Sequence, residues 1–247
     1  MTTPRPAVTL VHTSDVHIGP DSGPNRGRDA FGAVLDLVGQ VRPDLFLIAG
    51  DLFDRNRVPD ADLRFVESSL AALALPVLLV SGNHDSLDAG SVYHRLALPP
   101  NARLIADEEG EVIDFPDLDL EVWGRPLVDH HPGYRPLASE RAARRRRWRI
   151  GLMHGHFDDN VPRTGEPFRS STITPAEIAA TGFDYLALGH WHVPTDVSHG
   201  DVKAHYPGSP DPYQARAAGH VAVVRLTEEH GVQVELVQVA SRDEPLR

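Results

Sequence analysis

The sequence of 247 residues contains no cysteine. Disulfide bonds and metal sites built from thiolates are therefore excluded. Long hydrophobic runs are missing as well: no stretch approaches the roughly 18 consecutive apolar residues of a transmembrane helix, and residues 1–6 carry no apolar signal segment. The lack of a signal segment and of a membrane-spanning run predicts a cytoplasmic protein that has no membrane association.

Basic residues are also fewer than acidic residues. The chain has 24 Lys and Arg residues against 35 Asp and Glu residues, which gives a formal net charge of -11 at pH 7. Non-specific binding of nucleic acid requires a basic surface. Nucleic acid is therefore a possible partner that the charge balance does not favour.

A dense run of arginines is the local exception to this acidic balance. Runs of like charge are usually solvated, so we expect a solvated helix face that leads into a strand near residue 150. A patch that contacts phosphate is the alternative. The cluster consists of Arg141, Arg144, Arg145, Arg146, Arg147 and Arg149.

The first hundred residues alternate between two kinds of hydrophobic pattern. Short buried runs predict strands, and apolar residues at helical spacing predict helices that end before Pro43 and Pro76. Such alternation favours parallel strands joined by right-handed crossovers. In order, the predicted elements are a strand at 7–12, a helix at 29–41, a strand at 45–49, a helix at 60–74 and a strand at 77–80.

After about residue 100 the pattern becomes richer in strands. Thr174 and Pro175 are a suitable cap and first residue for one short helix at 175–181. Neither an internal repeat nor a low-complexity linker is visible, so residues 1–247 are expected to form a single catalytic domain without a capping domain. The strands predicted in this half are 104–105, 112–113, 118–123, 150–153, 185–188, 221–226 and 232–239.

Five short motifs follow predicted strands, and each carries side chains that bind metals. Ligands of open α/β sheets bind at the carboxyl ends of the strands, so we expect the five loops to converge on one site. Carboxylate, amide and imidazole groups are together sufficient for two divalent cations. The motifs are Asp15-Val16-His17, Gly50-Asp51, Gly82-Asn83-His84-Asp85, Met153-His154-Gly155 and Gly189-His190-Trp191-His192.

The order of these motifs resembles that of the calcineurin-like metallophosphoesterase superfamily, over residues 15–192. Three segments look like those of the SbcD-type DNA repair exonuclease branch. The resemblance implies an α/β fold of four layers, in which two mixed β-sheets are flanked by helices and the metals lie at one edge. The segments are Thr13-Ser14-Asp15-Val16-His17, Gly50-Asp51-Leu52-Phe53-Asp54 and Tyr206-Pro207-Gly208-Ser209-Pro210.

The resemblance also implies a division of ligands between two metals. Asp51 would bridge both ions, because a carboxylate has two oxygens. Oxygen and nitrogen ligands without sulfur suit Mn²⁺, Fe or Zn²⁺ better than soft metals. Of these we expect Mn²⁺, with Fe or Zn²⁺ as alternatives. His156 could replace His154, which we prefer because it directly follows a strand. The expected ligands are Asp15, His17 and His192 for the first metal, and Asn83, His154 and His190 for the second.

Two such cations would lower the pKa of a bridging water and hold phosphate oxygens, so that hydroxide attacks phosphorus in line. His84 is next to a ligand but outside the ligand set. We expect it to stabilise charge or to protonate the leaving group, and we expect Asp85 to orient it.

Arginines in two loops are candidates for contact with substrate phosphate, with a merely solvated loop as the alternative. They are Arg26 and Arg28 after the first motif, and Arg163 and Arg169 after His154.

The substrate is the most open part of the prediction. SbcD-type nucleases generally carry a capping region and a segment that docks an ATPase, whereas this chain stops at Arg247, soon after its last predicted strand. A phosphodiesterase acting on small or exposed diesters is the leading hypothesis. A stand-alone SbcD-like DNA exonuclease or endonuclease is second. A non-catalytic regulatory or scaffold subunit is third, and the complete ligand set argues against it.

Overall fold

The computed structural model describes residues 7–21, 25–129, 133–139, 143–159 and 171–239. Three α-helices occur in this part of the chain: α1 (Arg26–Val41), α2 (Asp60–Ala71) and α3 (Pro175–Ala179). The strands are β1 (Val8–Thr13), β2 (Leu45–Ala49), β3 (Val77–Val80), β4 (Ala102–Leu104), β5 (Glu111–Phe115), β6 (Leu120–Arg125), β7 (Trp148–His154), β8 (His156–Phe157), β9 (Thr172–Ile173), β10 (Tyr185–Gly189), β11 (Thr195–Asp196), β12 (Lys203–Tyr206), β13 (His220–Thr227) and β14 (Gly231–Gln238).

Two six-stranded sheets make up most of the structure. The first has the order β14-β13-β1-β2-β3-β4, and the second has the order β11-β12-β10-β7-β6-β5. In the first sheet β1, β2, β3 and β4 are parallel, while β13 and β14 are antiparallel to their neighbours. In the second, β6, β7, β10 and β12 are parallel, and β5 and β11 are antiparallel edges. Both sheets are mixed, which confirms the predicted fold class.

The two sheets pack face to face through apolar side chains that alternate along each strand. In β2, Leu45, Leu47 and Ala49 point into the core between the sheets, whereas Phe46 and Ile48 point outward to the helices. All five residues are fully buried, because a central parallel strand is covered on both faces. This explains why β2 reads as a continuous apolar run in the sequence.

Helices cover the outer faces of the sheets unequally. The helices α1 and α2 pack on the first sheet, and α1 begins three residues earlier than predicted while α2 ends three residues earlier. Among the described residues, the one α-helix that packs on the second sheet is the short α3, through Ile178. The predicted cap of α3 is confirmed, since the Thr174 side chain accepts a hydrogen bond from the Glu177 amide and the Glu177 carboxylate accepts one from the Thr174 amide.

The arginine cluster does not form the predicted helix. Residues 143–147 are irregular before β7 begins, and Arg141 lies outside the described residues. Their guanidinium groups pair with acidic side chains from other strands and loops, so charge pairing rather than helix formation determines this segment. The pairs are Arg144–Asp184 at 2.6 Å, Arg146–Asp114 at 2.5 Å, Arg147–Glu228 at 2.9 Å and Arg149–Glu121 at 3.1 Å.

None of the helices in the described residues has the length and apolarity needed to cross a membrane.

Gly189, at the end of β10, packs directly against β2 of the other sheet. A Cβ atom added to Gly189 would lie 1.8 Å from the carbonyl oxygen of Ala49 in β2, so only glycine allows this approach. Gly39 in α1 offers a control, because a Cβ there meets nothing within 4 Å.

We expect Gly189→Ala to lower the free energy of unfolding by at least about 2 kcal/mol, because an overpacked core has to shift. Gly39→Ala should instead raise it by up to about 1 kcal/mol, since alanine favours the helix. Urea denaturation followed by circular dichroism measures both. A Gly189→Ala protein as stable as the wild type would show that the sheets do not need this contact.

Candidate metal centre

Left-handed backbone marks the turns that follow three of the parallel strands. Asp15 has φ 54°, His17 φ 55°, Asp51 φ 52° and His190 φ 119°. Positive φ is uncommon for residues other than glycine, and such strain concentrates at functional sites. The turns after β1 and β2 also hold each other, since the amides of Asp15 and His17 donate to the carbonyls of Gly50 and Asp51, each at 3.1 Å.

The three side chains predicted for the first metal lie together. The ligand atoms of Asp15, His17 and His192 are all within 4.8 Å of one another. The Nε2 atoms of the two histidines are 3.2 Å apart, and His192 Nε2 is 3.9 Å from Asp15 Oδ1. The Asp15 carboxylate is fixed from behind, because its oxygens accept from the amide of His190 at 3.1 and 3.0 Å.

The side chains predicted for the second metal converge on one oxygen atom. Asn83 Oδ1 lies 2.9 Å from His154 Nε2 and 2.8 Å from His190 Nδ1. The other ring nitrogen of His154 is 2.9 Å from the carbonyl of Ala49. That carbonyl can only accept, so Nδ1 carries the proton and the Nε2 lone pair faces the cluster, as is usual for a histidine that binds metal.

Asp51 lies between the two groups. Its Oδ1 accepts from the amide of His84 at 2.8 Å, and its Oδ2 is 3.4 Å from His154 Nε2. The ligand atoms of Asp15, Asp51 and His154 are also within 4.8 Å of one another. This central position is the one that a bridging carboxylate requires.

Burial sets the protonation of the cluster. It lowers the pKa of His17 and of His190 to about 3, so both rings are neutral at pH 7 and keep the lone pairs that a metal needs. Burial and then the charges of Asp85 and Asp15 raise the pKa of the Asp51 carboxyl well above its ordinary value. A divalent cation would offset this repulsion between carboxylates. The donor set therefore fits divalent cations that accept oxygen and nitrogen ligands.

His84 lies at the surface of the cluster with its ring edge toward His17, at a centroid distance of 4.7 Å. Its Nδ1 is 2.9 Å from the carbonyl of Asp54. That carbonyl can only accept, so Nδ1 donates to it, and Nε2 remains available for other contacts. His84 also belongs to a possible metal-binding group with His17 and Asp51, which is an alternative to the predicted catalytic role.

Asp85 does not orient His84, so that prediction was wrong. Its carboxylate is buried and accepts four hydrogen bonds, two on each oxygen, from groups other than the His84 ring. The four donors are the amides of Asp51 at 3.3 Å, Phe53 at 3.1 Å and Gly82 at 2.7 Å, and the hydroxyl of Tyr93 at 2.7 Å. Asp85 therefore fixes the turn that carries Asp51 against the turn that carries Asn83.

His156 takes a different place from His154. Its Nδ1 accepts a hydrogen bond from the indole of Trp191 at 3.1 Å, and its ring packs on His190. The contacts of His154 with Asn83 and Asp51 favour His154 as the ligand. A recess of about 370 Å³, lined by His156, His190, Trp191, His192 and Val193, opens beside the cluster.

The arginines predicted to contact phosphate are occupied or not described. Arg26 pairs with Asp211 at 2.8 Å, and Arg28 pairs with Asp62 at 2.5 Å. Arg163 and Arg169 lie outside the described residues.

Two contributors to the cluster had no role assigned from the sequence. Ser209 donates from its hydroxyl to the carbonyl of Asp15 at 2.7 Å and from its amide to the carbonyl of His192 at 3.1 Å. Ser209 could have been found from the sequence, because it lies in the Tyr206-to-Pro210 segment that resembles the SbcD-type branch. Tyr93 gave none, since a tyrosine in a short helical turn resembles any other core aromatic.

Comparison with protein families gives one match over most of the chain. The family model described as calcineurin-like phosphoesterase matches residues 8–194. Two similar curated proteins are both called DNA double-strand break repair protein Mre11. The one from Aeropyrum pernix is 27% identical over 239 residues, covering 82% of this chain and 53% of its own length. The one from Methanopyrus kandleri is 26% identical over 233 residues, covering 82% of this chain and 49% of its own length. The chain thus spans about half the length of these relatives.

A solved structure supports the same fold. The protein TT1561 of Thermus thermophilus superposes with a TM-score of 0.57 at 14% identity, covering 95% of this chain and 100% of that chain. At this identity the likeness concerns the fold alone.

The hydrogen bonds of Asp85 predict a large effect of a small change. Asp85→Asn puts an amide nitrogen opposite two donors, and we expect the metal-free protein to lose about 3 kcal/mol of unfolding free energy. Asp201→Asn, at an exposed position, should change it by less than about 0.5 kcal/mol. Urea denaturation with a chelator present measures both, and equal stabilities of the two variants would refute the structural role of Asp85.

Proposed function

Because the chain belongs to the calcineurin-like phosphoesterase family and is thus a hydrolase of phosphoester bonds, we propose that it hydrolyses phosphodiesters with the help of two divalent cations. The observation that carries this proposal is the convergence of carboxylate, amide and imidazole groups from five strand ends. The ligand atoms of Asp15, His17 and His192 lie within 4.8 Å of one another, and Asn83 Oδ1 lies within 2.9 Å of both His154 and His190.

In the proposed centre each cation has its own set of side chains, and Asp51 serves both. The first set is Asp15, His17 and His192, and the second is Asn83, His154 and His190. Nitrogen and oxygen donors of this kind suit Mn²⁺, Fe or Zn²⁺, and we propose Mn²⁺ as the ion, with Fe or Zn²⁺ as alternatives. When bound, the two cations would supply polarisation of a water molecule and of the phosphate oxygens.

The chain's own groups complete the chemistry. His17 and His190 are neutral, so the carboxylates carry the charge of the metal-free centre. Bound cations would offset that negative charge and would allow an anionic phosphate to approach. His84 is exposed, borders this centre beside His17, and is outside the proposed ligand set. Its Nε2 is positioned to contact a phosphate oxygen or the leaving group.

A DNA nuclease is the second candidate, because two relatives are named as DNA double-strand break repair proteins. Two observations place it second. The net charge is -11, and the described arginines next to the cluster, Arg26 and Arg28, are paired with carboxylates. Sequence-independent binding of DNA relies on arginines and lysines that are free to contact phosphates.

We expect His84→Ala to keep both metals and to lower kcat at least about 100-fold, which is the usual contribution of a positioned acid or base. Metal content measured by mass spectrometry and turnover of bis-p-nitrophenyl phosphate test this together. His230→Ala is the control, since His230 lies in the exposed turn between β13 and β14. Loss of one metal in His84→Ala, with normal activity per loaded site, would make His84 a ligand instead.

A substrate panel separates the candidate functions. The Mn²⁺-loaded protein is offered bis-p-nitrophenyl phosphate, p-nitrophenyl phosphate, cyclic nucleotides, and single- and double-stranded DNA. We expect turnover of the diester, little turnover of the monoester and no end-directed DNA degradation, with Asp51→Asn inactive throughout. Efficient DNA degradation would favour the nuclease, and inactivity with Mn²⁺, Fe and Zn²⁺ would favour a scaffold.

A further inference from the structure

Tyr213 is unusually exposed for an aromatic residue. Its relative exposure is 65%, against 42% for Val193 and 41% for Leu236, the other large exposed hydrophobic residues in the described part of the chain. The ring therefore offers an accessible aromatic surface.

The surroundings of Tyr213 are well fixed for a surface loop. The buried carboxylate of Asp211 accepts from the amide of Tyr213 at 2.9 Å and from the guanidinium of Arg26 at 2.8 Å. The guanidinium carbon of Arg26 lies 4.8 Å from the centre of the Tyr213 ring, which is within cation–π distance. One face of the ring is therefore backed by a planar cation that a buried acid holds in place.

Both halves of this pair are tied to the proposed metal ligands. On one side, Ser209 contacts the backbones of Asp15 and His192, and it precedes Tyr213 by four residues, so their Cα atoms are at most about 14 Å apart. On the other side, Gly27 follows Arg26 and packs so closely on His17 that a Cβ would lie 2.5 Å from the His17 carbonyl oxygen.

We propose that Tyr213, backed by Arg26, is a stacking platform for a nucleobase of the substrate. This inference rests on the proposed phosphodiesterase function and narrows its substrates to diesters that contain a nucleotide. Stacking on an aromatic side chain accepts any base, because every base has a π face, and a guanidinium beneath the ring strengthens the contact.

The ion pair of Arg26 argues for a base rather than a phosphate as the group bound here. The guanidinium is already bonded to the carboxylate of Asp211, which offsets its charge, and only 39% of the Arg26 side chain is exposed. The ring of Tyr213 is the more accessible surface. A small nucleotide diester and the end of a nucleic-acid strand both present such a base.

Two p-nitrophenyl esters test the platform, because they share a leaving group and only one of them carries a nucleoside. We expect Tyr213→Ala to raise KM for the p-nitrophenyl ester of thymidine 5′-monophosphate about tenfold, as for the loss of one base–aromatic stack. KM for methyl p-nitrophenyl phosphate and kcat for both esters should stay unchanged. Tyr213→Phe should behave like the wild type, since the π face remains, and Leu236→Ala is the control for removal of an exposed apolar side chain. An equal loss on both esters, or no loss on the thymidine ester, would overturn the proposal.

Binding provides a second measurement that does not depend on turnover. Calorimetric titration with thymidine 5′-monophosphate should give a Kd about tenfold higher for Tyr213→Ala than for the wild type, while glycerol 3-phosphate should bind both proteins equally. Identical affinities for the nucleotide would refute the platform even if diesters are hydrolysed. A wild type without any diesterase activity would refute the proposed function, and the titration would still decide on the platform. Repeating it with a short single-stranded oligonucleotide shows whether a strand end uses the same ring.

Discussion

The carbonyl oxygen of Ala49 in the first sheet contacts both Gly189 and His154 of the second sheet, and the candidate metal centre depends on these contacts. Gly189 packs on this oxygen from the second sheet, and the imidazole of His154 donates to it at 2.9 Å. Strand ends of both sheets are thereby brought to one edge, and His154 is held in the tautomer that turns Nε2 toward Asp51 and Asn83. A wider gap between the sheets would separate the two ligand groups, whatever their individual turns.

Several features close to these contacts lower the stability of the fold. The carboxylates of Asp15, Asp51 and Asp85 are buried together, and four residues adopt positive φ at the strand ends. Each such feature costs about 1–3 kcal/mol. Backbone amides that donate to Asp15 and Asp85 offset part of this cost. Bound divalent cations would offset more of it, so we expect metal binding and folding stability to be linked.

Local sequence patterns predicted much of the fold. The continuous apolar run of β2 predicted its bounds, and glycines and acids after parallel strands predicted which loops converge. Contacts between distant residues were beyond such patterns. The partners Arg26 and Asp211 are 185 positions apart, so their ion pair could not be predicted. The Asp85 carboxylate accepts one of its four hydrogen bonds from Tyr93, so its role in holding the turns together could not be predicted either. The arginine cluster was wrongly predicted as helical, because its acidic partners come from distant strands and loops that a local pattern does not reveal.

The two proposals assign the phosphate of the substrate to the candidate metal centre and its base to Tyr213. If one edge of the sheets holds two cations with Asp51 between them, anomalous diffraction at the manganese edge will locate both in crystals grown with Mn²⁺. We expect two peaks on either side of Asp51, one bound by Asp15, His17 and His192, and the other by Asn83, His154 and His190. A single peak, or a peak bound by His84 or His156 in place of these residues, would contradict this arrangement.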